Sequence, residues 1–328
     1  MVARRLIAEA ETWALAQAFT ISRGSRTETR TIRVELHQDG FVGRGEAVPN
    51  TRYGETVENQ LTVIDSVRAA LESGLDRAGL TDALPHGTAR NALDCALWDL
   101  EAKRTGIPVW QAAGLPEPKP VITVYTISLG TPEVMAAEAA KQAHRPLLKL
   151  KLGGGADLER VAAVRAAAPN ARLVVDANEA WTPDFCRQAL PALAAMGVQM
   201  VEQPLPAGAD GALADMPRPV MVCADESLHD RGDLRDLSGR YDAINIKLDK
   251  SGGLTEGLAL ARDAQALGLK LMIGCMVGTS LGMAPAHLLA QWAEVVDIDA
   301  PLLLATDRQP GLSFDGSLVH PPTSALWG

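Results

Sequence analysis

Hydrophobic and polar positions run through this chain in two rhythms, and the change from one to the other falls near residue 120. Residues 1–48 read as a β-meander. Thr31-Ile32-Arg33-Val34-Glu35-Leu36 alternates cleanly, Asp39-Gly40 makes a hairpin turn, and Phe41 to Ala47 returns. Between the first two strands, Thr20 to Arg26 predicts a polar, glycine-containing loop. Helical patterns follow, from about Thr56 to Gly74 and from about Thr88 to Thr105. The second carries an apolar stripe of Ala92, Leu93, Ala96, Leu97 and Leu100 and stops at Gly106-Ile107-Pro108. Strands first and helices after describe an α+β domain.

Beyond Pro120, short apolar runs alternate with alanine-rich helical patterns. Eight runs are strand candidates: Val121 to Ile127, Pro146 to Leu152, Ala171 to Asp176, Val198 to Glu202, Val220 to Asp225, Ala243 to Lys247, Lys270 to Cys275 and Val295 to Asp299. Strands and helices in this alternation make βαβ units, and eight of them imply a closed barrel. An open doubly wound sheet is the other solution, but no GxGxxG follows the first strand. The expected organisation is a cap over residues 1–118, a barrel over 119–304, and a Pro/Gly-rich segment over 305–328 that returns to the cap.

The run Leu148-Lys149-Leu150-Lys151-Leu152 puts its lysines on one face and its leucines on the other. An edge strand with its lysines in water would look the same. The ends of the later strands favour the inward reading. The third strand ends at Asp176, the fourth at Glu202, the fifth at Asp225, the sixth at Lys247, and the eighth at Asp297-Ile298-Asp299. Barrel active sites form at the C-terminal ends of strands, so these side chains converge on one mouth. Any one of the acids could be a helix N-cap. Three carboxylates in one cavity, on successive strands, repel one another unless a cation is shared between them. An oxygen-only donor set suits Mg²⁺, whereas zinc would call for His or Cys, and none of the six histidines sits at a strand end. A lysine needs a lowered pKa to act as a base near neutrality, and a neighbouring cation and a second lysine would lower it. Lys247 as a mere salt-bridge partner is the plainer alternative.

Length and composition are compatible with this picture. A chain of 328 residues suits a barrel plus one extra module, and 47% hydrophobic against 22% charged residues is ordinary for a globular protein. A net charge of -9 argues against nucleic acid or an anionic membrane as partner. No run approaches the ~18 apolar residues of a membrane span. Arg4 and Arg5 are followed by Glu9 and Glu11 rather than an apolar h-region, so no signal peptide is expected. Cys95, Cys186, Cys223 and Cys275 are scattered and read as reduced, as in a cytoplasm. Oligomeric state is left open, a homo-oligomer included.

Lys149-x-Lys151, Asp176-Ala177-Asn178, Glu202-Gln203-Pro204, Asp225-Glu226-Ser227 and Lys247 together resemble the enolase superfamily, muconate-lactonizing subgroup. The resemblance spans essentially the whole chain. It implies an α/β fold: a modified TIM barrel, (β/α)7β, with an N-terminal α+β capping domain completed by the C-terminal segment. It further implies a Mg²⁺ cofactor held by Asp176, Glu202 and Asp225, with Lys151 and Lys247 as an acid/base pair that removes and returns a proton α to a carboxylate. Lys149 would support the substrate carboxylate and tune Lys151. Asp297-Ile298-Asp299 looks like the Asp-x-Asp motif of dipeptide epimerases, which would hold the α-ammonium of a dipeptide. A structural pair at the barrel rim is the alternative. The Phe19 to Arg26 segment is similar to the loop of L-Ala-D/L-Glu epimerases, where an arginine faces the acidic second residue; Arg23 is the candidate, with Arg26 behind it. Thr126 is a further candidate contact to the substrate backbone. The implied activity is Mg²⁺-dependent epimerisation of a small dipeptide, L-Ala-D/L-Glu, in murein peptide metabolism. N-acylamino acid racemisation, an o-succinylbenzoate synthase-like lyase and a catalytically silent dipeptide-binding protein are the rivals.

Overall fold

The structure, a computed structural model, describes residues 4–328; Met1, Val2 and Ala3, on which the expectation about a leader partly rests, lie outside the described residues. The chain opens with an antiparallel sheet of β1 (Arg5–Ile21), β2 (Gly24–Gln38) and β3 (Phe41–Ala47). Asp39 and Gly40 form the second turn with φ of 54° and 83°, the left-handed pair that an Asp-Gly hairpin requires. The predicted loop over Thr20 to Arg26 is instead the end of a long hairpin. Ile21 pairs with Gly24, and only Ser22 and Arg23 turn. Distant residues anchor this end as well: Leu129 N–H donates to Thr20 C=O at 3.0 Å, and Thr20 N–H donates to Ser128 Oγ at 3.4 Å.

The helical pattern after Thr56 forms two helices, α1 (Val57–Ser66) and α2 (Arg68–Glu72), rather than one. The break is at Val67, whose N–H closes a tighter turn onto Ile64 C=O at 3.3 Å. An unanticipated α3 (Arg77–Ala83) is started by Asp76, whose carboxylate accepts from Gly79 N–H at 2.8 Å. Then comes α4 (Thr88–Thr105), which ends on Gly106 at φ 71° as the sequence predicts. Its apolar stripe packs on the cap sheet, yet Arg90, Asn91, Asp94 and Asp99 on its other faces are buried too. Each is satisfied: Arg90 by the carbonyls of Ser251 and Gly252, Asn91 by Asp249, Asp94 by Thr255, and Asp99 by Arg44 N–H and Lys103. The helix is therefore the seam between cap and barrel. Only glycine fits where β3 crosses it, since a Cβ on Gly43 would lie 2.2 Å from Ala96 O.

After the short α5 (Val109–Ala112) the first predicted barrel strand divides. Its first half, β4 (Val121–Ile122), leaves the barrel, while its second half, β5 (Tyr125–Ile127), enters it. There follow α6 (Pro132–Lys141), β6 (Leu147–Lys151), α7 (Asp157–Ala167), β7 (Arg172–Asp176), α8 (Pro183–Ala195) and β8 (Val198–Glu202). The chain continues through β9 (Met221–Ala224), α9 (Leu234–Leu237), β10 (Ala243–Lys247), α10 (Leu248–Ser251), α11 (Leu254–Ala266), β11 (Lys270–Gly274), α12 (Ser280–Ala290), β12 (Val295–Val296) and α13 (Ala300–Leu303). Strands β5 to β12 form one parallel sheet in sequence order. Its two edges meet where Val124 N–H donates to Val296 C=O at 2.9 Å. Outward leucines and valines pack under the helices. Inside, one residue from each strand position forms an apolar plug: Val124, Leu147, Val174, Met200, Cys223, Ala243, Met272 and Val295.

The C-terminal segment returns across the molecule. A small hairpin of β13 (Phe314–Asp315) and β14 (Leu318–Val319) pairs with β4, and Trp327, 1% exposed, donates from Nε1 to Cys95 C=O at 2.9 Å. Arg308 bridges Glu11 and Glu46 of the cap. Among the described residues no helix is long and apolar enough to cross a membrane.

Candidate active site

Side chains two residues beyond the plug point the same way along each strand. They are Thr126, Lys149, Asp176, Glu202, Asp225, Asn245, Gly274 and Asp297, so a polar layer lies directly on the apolar one. Gly274 is small by necessity, since a Cβ there would stand 2.4 Å from Asn245 Oδ1. Lys151, Lys247 and Asp299 lie one step further toward the mouth. The structure thus brings the predicted acids and lysines together at the C-terminal end of the sheet.

The two lysines of β6 sit at different depths. Lys149 is 1% exposed; its Nζ donates to Asp297 Oδ2 at 2.6 Å and stands 2.6 Å from Glu202 Oε2 and 3.4 Å from Asp176 Oδ2. It does not line the cavity and is held among the three acids. Lys151 does line the cavity, and its Nζ donates to Asp176 Oδ2 at 2.5 Å. Lys247 lines it too, donating to Asp225 Oδ2 at 2.7 Å. Two groups that the strand ends did not single out complete the layer. Asn245 Nδ2 donates to Glu202 Oε1 at 2.7 Å, and the buried Lys250 donates to Asp225 Oδ1 at 2.7 Å. Asn245 shares a strand face with Lys247, a pattern that was readable; Lys250, expected in a loop, lies in α10.

Burial works against every charge here, and the local pairing decides the outcome. Asp176 is pushed up by burial but held down, to about 2, by Lys151 and Lys149. Asp225 is carried well below the usual carboxylate range by Lys247 and Lys250 against the same burial. Burial and the Asp176 charge push Glu202 up to about 7. Lys149 and Lys247 face the opposing pull of burial and of nearby carboxylates. Burial disfavours their ammonium forms, but Asp297, Glu202 and Asp176 hold Lys149 well above its ordinary range, and Asp225 and Glu202 do the same for Lys247. Carboxylates, not neighbouring lysines, dominate their field.

Asp176, Glu202 and Asp225 offer only oxygens, are all but fully buried, and repel one another. Glu202 Oε2 has no aligned hydrogen-bond donor. Buried carboxylates that offer only oxygens and repel one another fit a hard divalent cation. They do not draw tightly together, because each is turned toward a lysine. Among the described residues, the side chains whose possible ligand atoms all lie within 4.8 Å are instead Cys275, Asp297 and Asp299. β12 ends at Val296, earlier than predicted, yet Asp297 N–H still follows the ladder to Ile273 C=O at 2.8 Å. Both aspartates therefore stay on one side. Thr126 N–H donates to Asp299 Oδ2 at 2.6 Å, so Thr126 braces this pair instead of lining the main cavity. Burial and the Asp297 charge push Asp299 up to about 7, a repulsion that an ammonium between the two would relieve.

The cap closes the mouth above a cavity of roughly 500 Å³. Three arginines line it: Arg23, Arg26 and Arg52. Arg23, at the hairpin tip, pairs with Glu226 at 2.9 Å and Glu179 at 3.3 Å; Arg52 grips Glu179 at 2.8 and 2.6 Å. Arg26 stacks over Phe19, its guanidinium 5.7 Å from the ring centroid, and has no carboxylate partner among the described residues.

Residues 3–114 match the family described as mandelate racemase / muconate lactonizing enzyme, N-terminal domain, and residues 134–323 match enolase C-terminal domain-like. The chain is 47% identical to the L-Ala-D/L-Glu epimerase of Escherichia coli over 94% of its length and 97% of that protein's. It is 41% identical to an N-acetyl-D-glutamate racemase of a Pseudoalteromonas species, over 90% and 95% of the two chains. Among solved structures, it superposes with a TM-score of 0.97 and 50% identity on an enolase family member from Agrobacterium tumefaciens with homology to dipeptide epimerases, covering 99% and 100% of the chains. That structure holds sodium and L-Ala-L-Glu with an ordered loop.

Proposed function

Because the chain belongs to the enolase superfamily, with both domains of its mandelate racemase/muconate lactonizing branch, we propose that it epimerises dipeptides and that L-Ala-D/L-Glu is its substrate. The observation that carries this reading is one cavity lined by Lys151 and Lys247, with a buried aspartate pair beside it. Asp176, Glu202 and Asp225 would hold Mg²⁺. Bound there, the ion supplies positive charge that stabilises the carboxylate oxygens as the α-carbon loses its proton.

The chain's own groups then divide the work. The C-terminal residue of the dipeptide presents its α-carbon between the two lysines. One lysine, as the free amine, takes the α-proton, and the electron pair of the broken C–H bond moves into the carboxylate as an enediolate. The opposite lysine, as the ammonium, returns a proton to the other face. Asp297 and Asp299 take the α-ammonium of the first residue by charge-assisted hydrogen bonds.

Arg23 is already committed to Glu226 and Glu179, so the arginine that reads the acidic second residue is Arg26, which has no carboxylate partner among the described residues. We expect Arg26→Ala to lower kcat/KM for L-Ala-L-Glu by about 10- to 100-fold, the worth of one charged hydrogen bond, and to leave L-Ala-L-Ala nearly unchanged. Arg23→Ala should lower both dipeptides alike, because it loosens the hairpin tip rather than a side-chain contact. Steady-state kinetics on the two substrates separate these outcomes.

The N-acetyl-D-glutamate racemase relative favours a second reading, racemisation of an N-acylated amino acid. An acylated nitrogen carries no charge and would leave Asp297 and Asp299 without a partner. Direct comparison of L-Ala-L-Glu with N-acetyl-L-glutamate under saturating MgCl₂ tests the choice: turnover of the dipeptide at least about 100-fold faster is expected, and faster turnover of the acylated substrate would overturn it.

A further inference from the structure

We propose that Gln203 is a positioning residue that sets the spacing of the three acid-bearing strand ends and thereby the affinity for a divalent cation. The inference rests on the reading that Asp176, Glu202 and Asp225 hold that cation. Gln203 follows Glu202 directly, is fully buried, and does not line the cavity, so contact with substrate is not its role. Its φ of 35° lies in the left-handed region, where a non-glycine residue persists only if its surroundings hold it there.

Those surroundings are the loops that carry the acids. On the backbone, Gln203 N–H donates to Cys223 C=O at 2.8 Å on the Asp225 strand. In the other direction its C=O accepts from Glu179 N–H at 2.9 Å, three residues past Asp176. The side chain repeats the link. Oε1 accepts from Asp225 N–H at 2.8 Å and Ser227 N–H at 3.1 Å. Nε2 has two protons to share among three acceptors, Leu205 C=O at 2.8 Å, Ser227 Oγ at 2.8 Å and Tyr241 OH at 3.0 Å. Both hydroxyls can accept from Gln203 because each gives its own proton to the buried Asp210, at 2.6 Å in both cases. Asp210 in turn pairs with Arg240. A glutamate would lack the donor, and a methionine would leave two amides without an acceptor. Only an amide of this length serves both sides at once.

Outer hydrogen bonds that orient ligating carboxylates typically carry 10- to 100-fold in metal affinity. Calorimetric titration of the wild type, Gln203→Met and Tyr241→Phe with MgCl₂, alongside thermal unfolding in chelator, tests the proposal. We expect the Mg²⁺ Kd to rise about 10- to 100-fold in Gln203→Met. In Tyr241→Phe, which removes one support of the amide, it should rise about 3-fold. A merely structural role would lower the unfolding midpoint and leave Kd where it was. A folded Gln203→Met with wild-type Kd overturns the proposal. Should that variant not fold, wild-type Kd in Tyr241→Phe overturns it. A wild type that binds no Mg²⁺ overturns the metal reading beneath it, and this inference with it.

Discussion

Lys247→Ala and Lys151→Ala should each lower the rate of L-Ala-L-Glu epimerisation by about 10³-fold or more, within the range and beyond of a single general acid or base. The expectation follows from the separation of the two groups. Lys151 is paired to Asp176 and Lys247 to Asp225, on strands β6 and β10 of one sheet, and both reach the same cavity. Epimerisation needs a proton removed from one face and returned to the other, so neither lysine can stand in for its partner. The variants differ in what survives. With one lysine gone, the remaining lysine can still exchange the α-proton of the epimer whose hydrogen faces it, without inverting the centre. Stereospecific residual exchange, on opposite epimers in the two variants, is therefore the signature of a two-base site. Lys149→Ala should not show it. That residue lies beneath the cavity among Glu202, Asp297 and Asp176, and its loss would unbalance the acids rather than remove a base.

Asp299→Asn is expected to lower kcat/KM for the dipeptide by about 10²- to 10³-fold, corresponding to one partner of a buried hydrogen-bonded charge pair. It is a cleaner test of the ammonium site than a change at Asp297, which also holds Lys149. The substituted amide oxygen can still accept from Thr126 N–H, so the backbone contact now made at 2.6 Å survives. What is lost is charge. Activity toward N-acetyl-L-glutamate, however slow, should stay within about 3-fold, since a neutral amide offers Asp299 nothing to pair with. Equal losses on both substrates would show that the aspartates shape the rim rather than read the amine.

Much of this site was legible along the chain because barrel geometry converts sequence position into place. A strand that ends in an acid after an apolar run delivers that acid to the mouth, and Asp176, Glu202, Asp225 and Lys247 all arrive there. Period-2 alternation also put Lys149 and Lys151 on one face correctly. It could not give their depth, which is set by acids on β7, β8 and the end of β12. The same limit explains the hairpin tip. Thr20 to Arg26 reads as a loop from its polar residues, whereas it pairs with itself as a hairpin whose anchors, Ser128 and Leu129, lie a hundred residues on. The choice between Arg23 and Arg26 turns on Glu226, two hundred residues away. Val67 breaks a helix whose apolar period continues across it. Gln203 looks like an ordinary residue after a strand, and only the converging amides of Asp225 and Ser227 reveal its task. Local pattern placed the groups; nonlocal hydrogen bonds assigned their work.

The central claim, reversible proton transfer at the α-carbon of the second residue, is tested most directly in D₂O. L-Ala-L-Glu is incubated with the protein and MgCl₂, and the α-proton of the glutamate residue is followed by NMR. We expect that signal to be lost to solvent deuterium while L-Ala-D-Glu accumulates, with the alanine α-proton retained. A glutamate α-proton that persists at saturating Mg²⁺ and substrate would contradict the claim.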